Sequence, residues 1–228
     1  MCENIWLGVL KMSKLYFRYG TLFSSKSLNC LAVAHNYETY QEKPVFLIKP
    51  SLSASGNFVE SRTGLKRKAD LILRPSDIDI IPHILKTEKN IYCVLVDEAH
   101  LLTEIQVYEL TEVADKLEIP VICYGLKTNF QNNFNGFSGA EALLRWADKI
   151  EEIKTVCFNE HCNNKALHNL RLENGEPCFE ASDIVVKGKL NLYNFDVKNI
   201  DHMPVCRKCY KNEMASYQRK REREITYI

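Results

Sequence analysis

Four short apolar runs alternate with stretches of helical periodicity, and that alternation restricts the chain more than any other feature. Residues 15–19, 45–48, 92–96 and 119–124 are rich in Val, Ile, Leu, Tyr and Cys, with Arg18 their one charged side chain. Between them, residues 27–40, 103–117 and about 140–150 set apolar side chains three and four apart, the spacing that buries one face of a helix. Strands apolar on both sides need cover on both faces, so the pattern predicts an α/β fold around an open, mostly parallel sheet flanked by helices. Ligands of such sheets bind beyond the carboxyl ends of the strands. The polar clusters after Tyr19, Val96 and Tyr124 stand at those ends.

The first cluster carries phosphate chemistry. Gly20, Thr21, Leu22, Phe23, Ser24, Ser25, Lys26 and Ser27 match GxxxxGK[ST] except at the second glycine, where Ser25 stands. In that motif backbone N–H groups surround a polyphosphate, the lysine neutralises its outer charge and the following hydroxyl binds Mg²⁺. Lys26 and Ser27 keep both side-chain roles, while Ser25 adds a Cβ where the loop comes closest to phosphate. The plain alternative is a strand-to-helix turn capped by Ser24 or Ser25. The second cluster is Asp97-Glu98, followed by Ala99 and His100, at the end of an apolar run. One acid there holds Mg²⁺ through water with Ser27, and the other accepts a proton from an attacking hydroxyl. The alternative is that both acids cap the following helix.

From residue 155 onward the long alternation stops. Of nine cysteines, Cys157 and Cys162 form one close pair and Cys206 and Cys209 another. Four thiolates on two short turns suit a closed, structural Zn²⁺ site, with His161 as a possible substitute ligand. The turn Asn174-Gly175 and short runs such as residues 183–186 make this a small β-rich unit. The expected organisation is an extension at 1–14, with Met12 reading as a natural start, a P-loop α/β domain at 15–154, a zinc-bearing lasso unit at 155–212 and a charged tail at 213–228. Arg219, Lys220, Arg221 and Arg223 make that tail a solvated, frayed end. Residues 51–57, rich in Ser and Gly, read as a mobile loop of the kind that covers substrates.

Thirty basic against 29 acidic residues leave a net charge of +1, so no overall field draws the chain to nucleic acid or an anionic membrane. No apolar run approaches the roughly 20 residues a membrane helix needs, and residues 5–10 are too short for a signal peptide. Neither nucleic acid nor membrane is expected as a partner, and the expected address is the cytoplasm.

Taken together, LYFRYGTLFSSKS, VESRTGL, CVLVDEAHLLTEIQVYELTEVADKLEIPVICYGLKTNF, LLRWADKIEEIKTVC and PVCRKCY resemble the thymidine kinases shared by bacteria, animal cytosol and poxviruses, most closely the bacterial ones. The resemblance implies transfer of the ATP γ-phosphoryl group to the 5′-hydroxyl of thymidine or a related deoxynucleoside. It implies Glu98 as general base, Asp97 and Ser27 in support of Mg²⁺, and Lys26 on the phosphates. Phe130 and Phe137 match aromatics around the thymine, and Val186, Lys187 and Gly188 match backbone groups that grip the base. Tyr193 is a candidate for a base-side tyrosine whose family position is His202 here. The four cysteines match the family's zinc ligands, and a homotetramer inhibited by thymidine triphosphate is implied.

Departures cluster at the same place. Ser53 and Ser55 stand where the family reads DxR, Ser25 replaces the loop glycine, and His100-Leu101 replace Gln-Phe. The RTDFR pattern becomes Lys127-Thr128-Asn129-Phe130-Gln131, with two extra residues before Phe137. Arg62 offers a compensating charge. The expected function is therefore a thymidine kinase, with a degenerate relative that binds nucleoside or nucleotide with little turnover as the alternative.

Overall fold

The computed structural model describes residues 13–53, 56–180 and 202–226. Six strands form one sheet: β1 Leu15–Tyr19, β2 Val45–Pro50, β5 Leu71–Leu73, β6 Cys93–Val96, β7 Val121–Gly125 and β8 Lys149–Glu152, in the order β5-β2-β6-β7-β1-β8. Every pairing is parallel, so β1, β6 and β7 release their chains at the same edge. The short hairpin β3 Phe58–Glu60 and β4 Lys66–Lys68 stands apart from this sheet.

Side chains along the central strands alternate between two cores, which is why these runs are apolar throughout. Phe46, Ile48, Val94, Val96, Val121 and Cys123 face a core shared with helices α2 Ile80–Leu85, α3 Glu104–Lys116 and α4 Ser138–Trp146. Val45, Leu47, Cys93, Leu95, Ile122 and Tyr124 face the opposite core, with Cys30, Leu31 and Ala34 of helix α1 Lys26–His35. The run expected as one helix over 27–40 is α1 continued by a wider π turn, Asn36–Tyr40.

A smaller sheet, β10-β9-β11, joins His168–Glu173, Glu176–Pro177 and His202–Val205. Asn174 and Gly175 turn the β9–β10 hairpin with φ of 53° and 83°. Its core holds Cys157, Leu170, Leu172, Val205, Cys206 and Tyr210.

Two expectations need correction. The helix placed at about 140–150 ends at Trp146, and Lys149–Glu152 instead adds an edge strand beside β1. The charged end is no frayed tail, because helix α5 runs Arg207–Thr226. Residues 207–226 contain no Gly or Pro and many Arg, Lys and Glu, all compatible with helix. Tyr217 packs on Phe179, Lys220 pairs with Glu176 at 2.7 Å and Arg221 pairs with Glu180.

Candidate active site

The loop after β1 closes tightly enough to dictate its first residue. A Cβ at Gly20 would lie 2.3 Å from Ser24 Oγ and 2.5 Å from the Ile153 carbonyl. Phe23 and Ser25 then take left-handed backbones, φ 64° and 62°, a pattern that turns backbone N–H groups into an anion-binding nest. Ser25 stands at the N-cap of α1 without a side-chain cap bond. Thr21 Oγ1 and Ser24 Oγ are buried and have no hydrogen-bond partner among the described residues. A serine-capped turn would have used one of these hydroxyls, so the capped-turn alternative fails.

Lys26 is 8% exposed, and its ammonium donates to the Thr21 carbonyl at 2.7 Å. Burial lowers its pKa to about 8, against the pull of Glu98 and Asp97. The lysine and both acids thus act on one another across the strand ends. Ser27 Oγ donates to Asp97 Oδ1 at 3.2 Å. Asp97 is buried, and burial together with the Glu98 charge pushes its carboxyl up; a bound divalent cation reverses such a shift.

Neither acid caps a helix. Glu98 has φ 53° and ψ 35° and no cap bond, while α3 has its own capping box, in which Thr103 and Gln106 bond reciprocally. His100 lies beneath Glu98: its Nδ1 accepts the Leu126 N–H at 3.2 Å and stands 3.4 Å from Glu98 Oε2. Burial lowers His100 to about 4, so the ring is neutral near pH 7. Its ring packs edge-on against Phe137, 4.4 Å between centroids.

Phe137 and Phe130 are both buried, at different places. Phe137 belongs to the main core beneath the acids, whereas Phe130 lies toward the small sheet, beside His202 and Arg171. Ser53 closes a turn onto the Pro50 carbonyl at 3.2 Å. Ser55, Val186, Lys187, Gly188, Tyr193 and the run 183–186 lie outside the described residues.

Three contacts had no clear sequence signal. Asn169 Oδ1 accepts the Leu22 N–H at 2.8 Å, tying the small sheet to the loop after β1. A pocket bounded in part by Gly20, Thr21, Lys127, Thr128 and Asn169 opens between the two. Lys49 is fully buried and donates to the Gly56 and Phe58 carbonyls at 2.9 and 2.7 Å. A lysine ending an apolar strand was the only hint of that anchor.

The four cysteines come together. Sγ atoms of Cys157, Cys162, Cys206 and Cys209 all lie within 4.8 Å of one another. Tetrahedral zinc with Zn–S bonds near 2.3 Å separates its sulfurs by roughly 3.8 Å, and Cys162 and Cys206 stand 3.8 Å apart. Backbone N–H groups of Cys206 and Cys209 point at Cys157 and Cys206 sulfurs, at 3.2 and 3.5 Å. Such donors favour thiolates. The Asn164 backbone N–H holds Cys162 down at about 7, while burial pushes the Cys157 and Cys209 thiols up. The donor set therefore fits zinc, and His161 is not part of the cluster.

A family model described as thymidine kinase matches residues 13–210. A thymidine kinase of Streptococcus pyogenes is 43% identical over 203 residues, covering 88% of this chain and 98% of that protein. One from Streptococcus agalactiae matches at the same identity and coverage. The solved Pif1 helicase of Candida albicans is 13% identical, with a TM-score of 0.35 over 64% of this chain and 36% of that one, too slight a likeness to bear on the fold.

Proposed function

This chain belongs to the thymidine kinase family, and from that premise we propose that it transfers the γ-phosphoryl group of ATP to the 5′-hydroxyl of thymidine or a closely related deoxynucleoside. The observation that carries the site assignment is the hydrogen bond from Ser27, next to the buried Lys26, to Asp97, which joins the loop after β1 to the end of β6. Glu98 takes the hydroxyl proton as the 5′ oxygen attacks phosphorus. Lys26 and the backbone of residues 20–27 hold the triphosphate, and the unpartnered Thr21 and Ser24 hydroxyls suit the same ligand. Ser27 and Asp97 would hold Mg²⁺, which when bound neutralises phosphate charge during transfer. The matching family model and the named relatives are thymidine kinases, and neither favours a binding protein without turnover.

The expected contacts of the base are Phe130, toward the small sheet, Phe137, beneath the acids, the backbone of Val186, Lys187 and Gly188, and Tyr193. The cysteine cluster would hold a structural zinc, since four thiolates leave no position for a reacting water. A homotetramer in the cytoplasm, without nucleic acid or membrane partners, completes the reading. Among the described residues no helix is long and apolar enough to cross a membrane.

The test is phosphorylation of each deoxynucleoside by the purified chain and by Glu98→Gln, with ATP and Mg²⁺. Thymidine should be the best acceptor, and the variant should lose about a hundredfold or more in kcat while calorimetry still detects thymidine. Equal turnover by the variant would remove Glu98 from its role.

A further inference from the structure

Arg62 stands on the phosphate loop from outside it. It occupies the turn between β3 and β4, and its guanidinium carbon lies 3.7 Å from the centroid of the Phe23 ring. Phe23 holds a left-handed backbone, uncommon and costly for a bulky residue and concentrated at functional sites. The same ring packs against Phe158, beside the Cys157 ligand, at 5.1 Å. One strained aromatic residue thus connects hairpin, phosphate loop and cysteine unit.

The hairpin itself is held in place. Val59 is fully buried in the core of α1, and Ser61 bonds Thr63 and the Leu65 carbonyl across the turn. Lys49 fastens the start of β3 by its bond to the Phe58 carbonyl. Arg62 therefore projects from a rigid platform, as a positioned charge requires.

Its surroundings favour an anion. Several other cations are already paired: Arg67 with Glu38 and Asp70, Arg18 with Glu151, and Lys165 with Glu152. Lys49 is enclosed and spends its protons on backbone carbonyls. Arg62 makes no ion pair or hydrogen bond among the described residues and remains exposed. It is close enough to the catalytic groups for Glu98 to attract it and for it to oppose the charge on Lys26. Its five N–H donors suit the oxygens of a phosphoryl group.

We propose that Arg62 is a phosphate-contacting catalytic residue, bringing a second protein cation to the transferred phosphoryl group. The assignment rests on the kinase reading above. In the step it assists, the 5′ oxygen forms a bond to Pγ and the bond from Pγ to the β,γ-bridging oxygen breaks. Those electrons leave on ADP, and the hydroxyl proton goes to Glu98. Charge spreads over the γ oxygens during transfer, where a guanidinium is worth most.

The experiment compares wild type, Arg62→Ala, Arg62→Lys and Phe23→Leu, all as full chains, for kcat, thymidine KM and calorimetric Mg·ATP affinity. Arg62→Ala should lose roughly a hundredfold in kcat with thymidine KM within about threefold, and added guanidinium should restore part of the loss. Arg62→Lys should recover less than guanidinium geometry provides. Phe23→Leu, which keeps the arginine and removes its platform, should lose about tenfold. Arg62→Ala with wild-type kcat and wild-type Mg·ATP affinity would overturn the assignment, as would a loss confined to thymidine KM. A wild type inactive on every deoxynucleoside would instead sink the kinase reading; Mg·ATP affinity would then still decide Arg62, an unchanged value in Arg62→Ala counting against it.

Discussion

Ser25 sits at φ 62° in the phosphate loop, with a hydroxyl that caps nothing. A left-handed backbone costs a Cβ-bearing residue about 1–2 kcal/mol, and glycine avoids that cost. Ser25→Gly should therefore raise Tm by about 2–4 °C and tighten Mg·ATP; a lower Tm by calorimetry would show that the hydroxyl carries a load. His100 supplies a pH signature. Its folded pKa of about 4 lies below the ordinary 6.5, so the unfolded chain binds more protons between those values and stability falls as pH drops from about 6.5 to 4. Asp97, displaced upward, acts in the opposite sense across an overlapping range, so the histidine effect is read as a difference. His100→Gln should flatten the acid-side loss by the order of 3 kcal/mol, measured by denaturant unfolding at each pH. An identical slope would mean that His100 titrates normally.

Helix α4 meets the acid-bearing turn at backbone distance. A Cβ at Gly139 would lie 2.4 Å from the Ala99 carbonyl and 2.8 Å from that of Leu102, and Ser138 Oγ donates to the Leu102 carbonyl at 3.1 Å. Gly139→Ala would force α4 away from the turn that seats His100. We expect a loss of about 1–3 kcal/mol with a parallel fall in kcat, while an unchanged unfolding midpoint would contradict the close contact. Thr103→Ala removes the capping box of α3 and should cost about 1 kcal/mol with kcat nearly unchanged, because the acids precede the helix and are held by the strand.

Across the whole molecule, the cysteine unit and the phosphate loop are coupled through Asn169 to Leu22 and through Phe158 to Phe23. A structural zinc in such a site supplies roughly 10 kcal/mol or more of binding free energy, more than the small apolar core of this unit can replace. Cys206→Ser with Cys209→Ser should abolish bound zinc by metal analysis, expose residues 155–226 to proteolysis and weaken Mg·ATP. Full zinc retention by the double variant would displace the metal from this cluster. Intact Mg·ATP affinity after zinc loss would show that the two contacts do not transmit the change.

The sequence by itself determined the strand and helix alternation, the motif at Gly20–Ser27, the acid pair and the two cysteine pairs, because each is written in residues a few positions apart. It missed the hairpin of β3 and β4, where no long apolar pattern marks three-residue strands, and β8, three of whose four residues, Lys149–Glu152, are charged. It also read α5 as a tail, since its stabilising contacts to Phe179, Glu176 and Glu180 come from elsewhere in the chain. Only the tertiary structure decided that Ser27 meets Asp97, that Ser25 and Glu98 hold left-handed backbones, and that Arg62 rests on Phe23. Local periodicity follows from short-range sterics and apolar spacing; which charges face one another depends on strand order and register, set by packing among residues distant in sequence.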